Sequence, residues 1–566
     1  MYKFNKISLM AAVAMMASSS VAYAQAVPGS AEVSRVPQRM VKPNTDIKIQ
    51  KEIQIDSKYT YEAPEGAEKA GLTLKVLNIS GNTVYNDAEL KAFYADELNT
   101  KISLADVYGI AAKMTASYRN DGYILTQVIV PPQTIESGVV ALQVVEGFVS
   151  DIKIQGAPRG DLAMVRKYAN RLMEKGPLDA KDLEHVMLTL NDLPGVIARS
   201  VLEASVDQPG GSDVTIIVEE DDLYNVSWAV DNRGTRYMGP IVFSADAQVN
   251  SFFGLNEAIR VGIATAPDGG TEREMDFLSI SYKQPVGAYG TTIEGIYSIA
   301  LSDPGHDLSQ FDIEGRAETY ILRAEHPLIR SRNKDLSLSL QFDAANSRRT
   351  DNINPSPIED RVRSIRLGAQ YQFADRYIGV NQMEAEISRG LDILGERDSK
   401  SANLTRARGK SDYTKITARY ARTQYVSQTL ELFGVVSGQK AFSNLLSSEE
   451  FGLGGTEIGR AYDASEVVGE DGLGAMIEVR WQDPHELPYF DTYQIFGFYD
   501  IGRVWDRDST AANNKTQSLA SIGGGIRGNI NDTFNGGIEV ALPLTRRVGT
   551  ENDHDARIFL SLGANY

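Results

Sequence analysis

Cysteine is absent from all 566 residues. That excludes disulfide scaffolds and thiolate zinc or iron–sulfur sites. Basic charge is also short: 57 Lys and Arg face 75 Asp and Glu, a formal net charge of −18. A nucleic-acid binder needs a basic footprint, so no nucleic-acid partner is expected. No stretch reaches the roughly 20 apolar residues of a membrane-spanning helix. Histidine is scarce, at positions 185, 306, 326, 485 and 554. None pairs with a second histidine four residues on with a glutamate between, so a zincin-like site is missing. His554 lies between Asp553 and Asp555 and reads as part of a solvated loop rather than a metal clip. The glycines at 523, 524, 525 and 528 lack the Gly-Lys-Ser/Thr ending and following helix of a phosphate loop. No Gly-x-Ser-x-Gly elbow marks a hydrolase. An enzyme is not expected, and neither are catalytic residues, metal ligands or a cofactor.

What is present begins with an address label. Met1–Ala24 has a basic start with Lys3 and Lys6, an apolar run from Ile7 to Ala17, and a small-residue end at Ala22-Tyr23-Ala24. This is the pattern of a secretory signal peptide cleaved before Gln25. These eleven residues, Ser8 among them, are too few to anchor it across about 30 Å of hydrocarbon.

Three zones follow. Residues 25–70, with Pro28, Pro37, Pro43 and Pro64, read as an N-terminal linker or plug segment. Pro37 argues against a long helix over Gly29–Met40, and Ile47, Ile49, Ile53 and Ile55 alternate as in a short strand. Residues 72–147 read as a small α/β module. Its expected elements are Leu72–Ile79, a turn at Gly81-Asn82, helices over Asp87–Tyr94 and Leu104–Tyr118, then strands over Tyr123–Val130 and Val139–Val145. In the second helix Val107, Ile110, Ala111, Met114 and Tyr118 share one face. A diverged second copy fills 148–220, with strands at Val149–Ile154, Ala198–Val206 and Asp213–Glu219 and helices at Leu162–Met173 and Leu183–Leu190.

From 223 to 566 period two takes over. Leu336, Leu338, Leu340 and Phe342 alternate with Ser337, Ser339, Gln341 and Asp343. Ile558, Leu560, Leu562, Ala564 and Tyr566 alternate with Phe559, Ser561, Gly563 and Asn565. Strands apolar on one face and small or polar on the other are the mark of a transmembrane β-barrel. Sixteen antiparallel strands are expected, near 223–232, 240–250, 257–266, 274–284, 290–301, 313–326, 335–346 and 361–374. The others lie near 380–390, 411–425, 428–440, 472–482, 491–503, 518–530, 532–543 and 556–566. Odd connections are mostly long, at 347–360, 391–410, 441–471 and 504–517, while even ones are mostly short. That matches outer loops and periplasmic turns. A soluble sandwich or propeller competes, but no blade motif repeats. Phe559 and Tyr566 belong to the closing strand, whose terminal aromatic suits a membrane girdle.

Three stretches resemble the two-partner secretion transporters, the ShlB/FhaC/HecB haemolysin secretion/activation family, which are relatives of BamA-type barrels. Tyr118-Arg119-Asn120-Asp121-Gly122-Tyr123, then Pro131-Pro132-Gln133 and Val145-Glu146-Gly147, is similar to the family's first POTRA module. Gly454-Gly455 followed by Gly459-Arg460-Ala461-Tyr462 looks like the tip of its long sixth outer loop, here 441–471. Ala461 stands where the family usually has glycine, and alanine would be strained there if the tip needed a positive φ. Phe498-Tyr499-Asp500-Ile501-Gly502 is similar to the strand that receives this tip. The strand's outward apolar phase is Tyr493, Ile495, Tyr499 and Ile501, which leaves Phe498, Asp500 and Gly502 on the lumen side.

The resemblance implies an Arg460–Asp500 pair with Tyr462 nearby and with room left by Gly502. It also implies an outer-membrane exporter with its POTRA modules in the periplasm. Its partner would be a secreted β-rich exoprotein, such as an adhesin, haemolysin or toxin, with an N-terminal secretion domain, captured unfolded. The lipid bilayer, and the barrel assembly machinery during biogenesis, are the other partners expected. A BamA-type assembly factor shares the architecture but usually has more POTRA modules. A passive porin would not need residues 72–220.

Overall fold

In the computed structural model, the described residues are 27–40, 63–267, 273–397, 401–482, 491–507, 516–531 and 533–566. The expected signal peptide and the alternation at Ile47–Ile55 lie outside them. The N-terminal segment forms two single 3₁₀ turns, Gly29–Ala31 and Val33–Arg35, and the short helix α1 (Val36–Met40). Pro37 sits in the first turn of α1, where its missing N–H leaves no hydrogen bond unmade.

In the first module β1 (Gly71–Thr73) and β2 (Val76–Ser80) take the place of one expected strand. The chain changes partners between them: Leu74 N–H donates to the Thr100 carbonyl, and Lys75 N–H to that of Gly138. Helix α2 (Asp87–Lys91) is shorter than expected and starts at a capping box of Asn86 and Glu89. After β3 (Lys101–Ser103), helix α3 (Leu104–Asn120) is capped by Ser103 and Asp106, and its buried face is the predicted stripe. The expected strand Tyr123–Val130 is mostly turn. Gly122 has φ 105°, the Tyr123 and Thr126 amides are spent on tight turns, and only β4 (Gln127–Ile129) joins the sheet. With β5 (Val139–Val145) the sheet order is β2-β5-β4, with β2 and β5 parallel.

The same plan recurs in β6 (Phe148–Gly156), α4 (Leu162–Ala169), α5 (Ala180–Asn191), β7 (Val196–Ala204) and β8 (Gly211–Glu220), with sheet order β6-β8-β7. Val165, Tyr168, Leu183, Leu190 and Val214 lie at its core. The two modules join where the Leu178 and Ala180 amides donate to the carbonyls of Gly147 and Gly122, at 2.8 and 2.9 Å.

The rest closes as one antiparallel barrel. Its strands are β9 (Tyr224–Asp231), β10 (Val242–Asn250), β11 (Ala258–Pro267), β12 (Arg273–Val286), β13 (Thr291–Ser302), β14 (Glu314–Arg330), β15 (Lys334–Thr350) and β16 (Ile358–Asp375). They continue as β17 (Gly379–Gly390), β18 (Thr414–Tyr425) and β19 (Leu430–Ala441). A hairpin of β20 (Phe451–Leu453) and β21 (Val467–Gly469), within the long loop, forms a sheet separate from the wall. Then come β22 (Asp471–Gln482), β23 (Thr492–Trp505), β24 (Thr516–Asn529), β25 (Phe534–Pro543) and β26 (Arg557–Asn565). Sixteen strands thus form the wall, as the period-two pattern predicts. β15 and β16 run several residues past the expected ends, so their connection shortens to 351–357. Leu338, Leu340, Ile365, Leu367, Ile477 and Leu560 face outward and exposed, as lipid requires. β26 returns to β9 over five paired residues, Ser561–Asn565, and Tyr566 adds two backbone bonds to Val226. Tyr566 is exposed, whereas Phe559 is buried under the guanidiniums of Arg233 and Arg557.

Residues 29–40 sit inside this barrel. Ala31, Val33 and Val36 pack with Ala264, Ala266, Met275, Ala300 and Ala317 of β11–β14. Glu32 accepts from Arg349 of β15 at 3.0 Å, with both side chains buried. No long helix forms over Gly29–Met40, as Pro37 predicts. The segment seats as compact turns rather than as a long helix.

Candidate functional site

The loop between β19 and β22 enters the lumen because three glycines let it fold back sharply. Gly454, Gly455 and Gly459 have φ of 107°, 103° and 90°, which side chains with a Cβ rarely tolerate. Gly454 N–H donates to the Ile458 carbonyl at 2.9 Å, and Tyr462 N–H to that of Gly459 at 2.9 Å. Ala461 is fully buried and is not among the residues of positive φ. The left-handed position falls on Gly459, so alanine at 461 carries no backbone strain.

This turn delivers Arg460 to Asp500 on β23. Asp500 has no solvent exposure, and Arg460 retains 4%. The Arg460 Nε and Nη2 donate to the two Asp500 oxygens at 3.3 and 3.2 Å. The same carboxylate accepts the backbone N–H groups of Gly459 and Arg460, at 3.2 and 2.9 Å, and the Ser521 hydroxyl at 3.0 Å. The Arg460 guanidinium carbon lies 3.4 Å from the Phe498 ring centroid, a cation–π contact. Buried charge is tolerable only when its hydrogen bonds are satisfied, and here they are.

Sequence reasoning missed a second acid. Glu478 on β22 accepts from Arg460 Nη1, and its other oxygen takes Arg480 and Arg527, each at 2.7 Å. The strand phase gives only its direction: Leu473, Ile477 and Val479 face outward, so Glu478 and Arg480 face inward. Tyr462 does not bond Asp500 itself: its hydroxyl donates to the carbonyl of Ala520, the neighbour of Ser521, at 3.1 Å. Gly502 leaves room on the lumen side of β23, and the loop takes it. A Cβ there would come within 2.5 Å of Leu453, so the space it leaves is filled by the loop's own hairpin. Arg557 holds the far side of the tip, donating to the Ala461 carbonyl at 3.1 Å and to Asp463 at 2.9 Å.

The N-terminal segment touches the same loop. Arg35 donates to Ser465 Oγ at 3.1 Å and to the carbonyls of Ser447 and Glu450 at 2.7 and 3.1 Å. Burial pushes the Glu450 carboxyl up to about 7, against the pull of Arg406 and Arg35. The segment packs on β11–β14, the tip packs on Met476, Phe498 and Leu519 of β22–β24, and Arg35 links the two.

The POTRA-type residues form a structural knot in the first module. Tyr118 is buried, edge-on to Tyr85 and Tyr123, and its hydroxyl donates to Glu146 at 2.9 Å. Glu146 also accepts the Thr83 and Val84 amides at 2.8 and 2.9 Å. Burial pushes the Glu146 carboxyl up, but the donors from Thr83, Val84 and Tyr118 outweigh it and leave it below its ordinary value. Gly122 lies against Asp179 at the junction of the modules. Gln133, just past Pro131, bonds both ways with the Ala141 backbone, at 2.8 and 2.7 Å, and so continues the β4 edge. Arg119 lies in the last turn of α3.

The profile of the haemolysin secretion/activation protein ShlB/FhaC/HecB family matches residues 210–528, and that of the ShlB-type POTRA domain matches 72–147. The chain belongs to the ShlB/FhaC/HecB family. It is an outer-membrane, two-partner secretion transporter, with its POTRA modules in the periplasm. The heme/hemopexin transporter protein HuxB of Haemophilus influenzae is similar, 22% identical over 508 residues and 88% of each chain. The outer membrane transporter CdiB-2 of Burkholderia pseudomallei is 26% identical over 432 residues, 73% of this chain and 70% of its own. The solved structure of CdiB from Escherichia coli shares the fold, with a TM-score of 0.72 at 20% identity, over 90% of this chain and 93% of that one.

Proposed function

We propose that this is the resting state of the pore, obstructed twice, and that capture of an unfolded exoprotein releases both obstructions. The observation that carries the reading is the Arg460 tip, held by Asp500 and Glu478 in the lumen while residues 29–40 pack on β11–β14. A folded domain has no path through such a lumen, and an extended chain gains one only if the plug or the tip moves.

The sheet orders β2-β5-β4 and β6-β8-β7 leave edge strands in both modules, and an extended segment can add to such an edge through its backbone. On β7, Ile197 and Val201 are exposed beside that edge. The partner is a β-rich exoprotein, an adhesin, haemolysin or toxin, whose N-terminal secretion domain offers the first extended segment. Its folding outside biases movement outward, so neither a catalytic step nor a cofactor is required. The barrel assembly machinery inserts the barrel, and lipid covers its outer face.

The test is co-expression with the exoprotein encoded in the neighbouring reading frame, followed by assay of the medium. Export that depends on this transporter, together with a pore that conducts more in Arg460→Ala than in the wild type, supports the reading. Conductance unchanged by the substitution refutes obstruction by the tip.

A further inference from the structure

The periplasmic turn between β10 and β11, residues 251–257, exposes three large apolar side chains together. Phe252, Phe253 and Leu255 are 65, 62 and 50% exposed, and the two rings meet edge to face at 5.1 Å. None belongs to a core cluster. Nor is the turn loose. Ser251, Gly254 and Asn256 all have positive φ, at 53°, 75° and 57°, and two of them lack the excuse of being glycine. Glu257, with no solvent exposure, holds the shape by accepting the Phe253 and Leu255 amides at 2.6 and 2.9 Å. A rigid turn that keeps aromatic rings in contact with water needs a partner surface.

Its position identifies that surface. The Leu255 carbonyl accepts from Gln284 of β12 at 2.9 Å, and Gln284 in turn accepts from the Tyr282 hydroxyl at 2.7 Å. Ile280 and Tyr282 are exposed and share the phase of Gln284 on that strand, so the turn leans over the lipid-facing side of the wall. The three side chains thereby continue the barrel's apolar band at its periplasmic rim. The other side of the turn grips the second module. Asn256 accepts the Asp161 amide at 3.0 Å and donates to the Pro194 carbonyl at 3.4 Å.

We propose that the 251–257 turn is a lipid anchor: Phe252, Phe253 and Leu255 enter the periplasmic leaflet while Asn256 ties the second POTRA module to that depth. The module is thereby held at a fixed height under the membrane, beside the short β26–β9 seam. Aromatic side chains suit this level of a bilayer, where an apolar ring meets the headgroup zone.

Because the chain has no cysteine, one probe can be placed at will. Full-length Phe253→Cys and Phe252→Cys, each carrying an environment-sensitive fluorophore, are reconstituted in phosphatidylethanolamine–phosphatidylglycerol vesicles. Val206→Cys, at a 94% exposed position on the second module, is the aqueous reference. The expected result is blue-shifted emission at 252 and 253, quenched by shallow nitroxide lipids and protected from iodide, with the opposite at 206. Iodide quenching at 252 and 253 equal to that at 206 overturns the proposal. So does protection from iodide without quenching by nitroxide lipid, which would mean that protein, a second copy included, covers the turn.

Discussion

Arg35 of the N-terminal segment donates to the Ser447 carbonyl of the long loop at 2.7 Å, so the plug is fastened to the element that carries Arg460. Arg35 is buried, and its other donors reach Ser465 and Glu450 of the same loop. Removing the side chain leaves these loop carbonyls without their partner and a void beside the plug. Arg35→Ala should therefore loosen the plug by about 1–3 kcal/mol. Planar-bilayer recordings should show larger and more frequent openings from a barrel that is still heat-modifiable. Conductance like that of the wild type would mean that the apolar contacts with β11–β14 and the Glu32–Arg349 pair suffice to hold the plug.

Glu146 makes the first module sensitive to acid. Its carboxyl is lower in the folded module than in an unfolded chain, so its stabilisation is present above the ordinary glutamate pKa. It is lost as pH falls through the lowered folded value. Glu146→Gln removes the charge that Thr83, Val84 and Tyr118 donate to, and should cost about 1–2 kcal/mol for this half-buried group. Hydrogen-exchange protection of the first module should drop at neutral pH in the variant, and acid should then reduce it less than in the wild type. Equal protection in both proteins at neutral pH would contradict this.

Deleting residues 72–147 should abolish secretion while the barrel still assembles. The second module is bonded directly to the barrel, as in Arg330 to Asp192 at 2.7 and 2.8 Å. The first module joins the second by the Gly122 and Gly147 carbonyls. Near-normal export from a deletion mutant with a folded barrel would remove the first module from the capture step.

Deleting Phe559–Tyr566 should have the opposite outcome. β26 closes the barrel on β9 through residues 561–565, all of them within the deletion. The unpaired edges of β9 and β25 would then face lipid, where each unsatisfied backbone group costs several kcal/mol. Heat-modifiable protein should disappear from the outer-membrane fraction. Its persistence would show that β25 can close the barrel instead.

The sequence made the wall legible because period two is local: Leu338 and Leu340 announce their face within one strand. It also made Asp500 legible as an inward residue. What it hid depends on contacts between distant residues. Glu478 joins Arg460 across 18 positions, and nothing local singles it out from other lumen acids. Residues 29–40 carry no helical stripe because their turns are shaped by the cavity around them. Ile124 and Leu125 mimic a strand, yet Gly122 turns the chain first. Ala461 looked like a fault in the tip, but the positive φ sits two residues earlier.

Arg460 and Asp500 carry the final prediction, and Glu478 divides it. Removing Arg460 leaves two buried acids, Asp500 and Glu478, without the guanidinium between them. Breaking such a buried network by one partner costs about 3–5 kcal/mol at most, and lumen water entering the gap reduces it. Arg527 and Arg480 remain beside Glu478, so the larger penalty falls on Asp500. Asp500→Ala removes the carboxylate oxygen that accepts both the Gly459 and Arg460 amides, and should release the tip as fully as Arg460→Ala. Glu478→Gln keeps Asp500 in place and should weaken the tip less than either. All three should leave a heat-modifiable barrel, with secretion lost in the first two and reduced in the third. The wall survives because its ladder bonds do not pass through the tip. An Arg460→Cys, Asp500→Cys pair should cross-link on oxidation if the docked loop comes within disulfide reach. Normal secretion by both alanine variants would sink the latch, even if that cross-link formed.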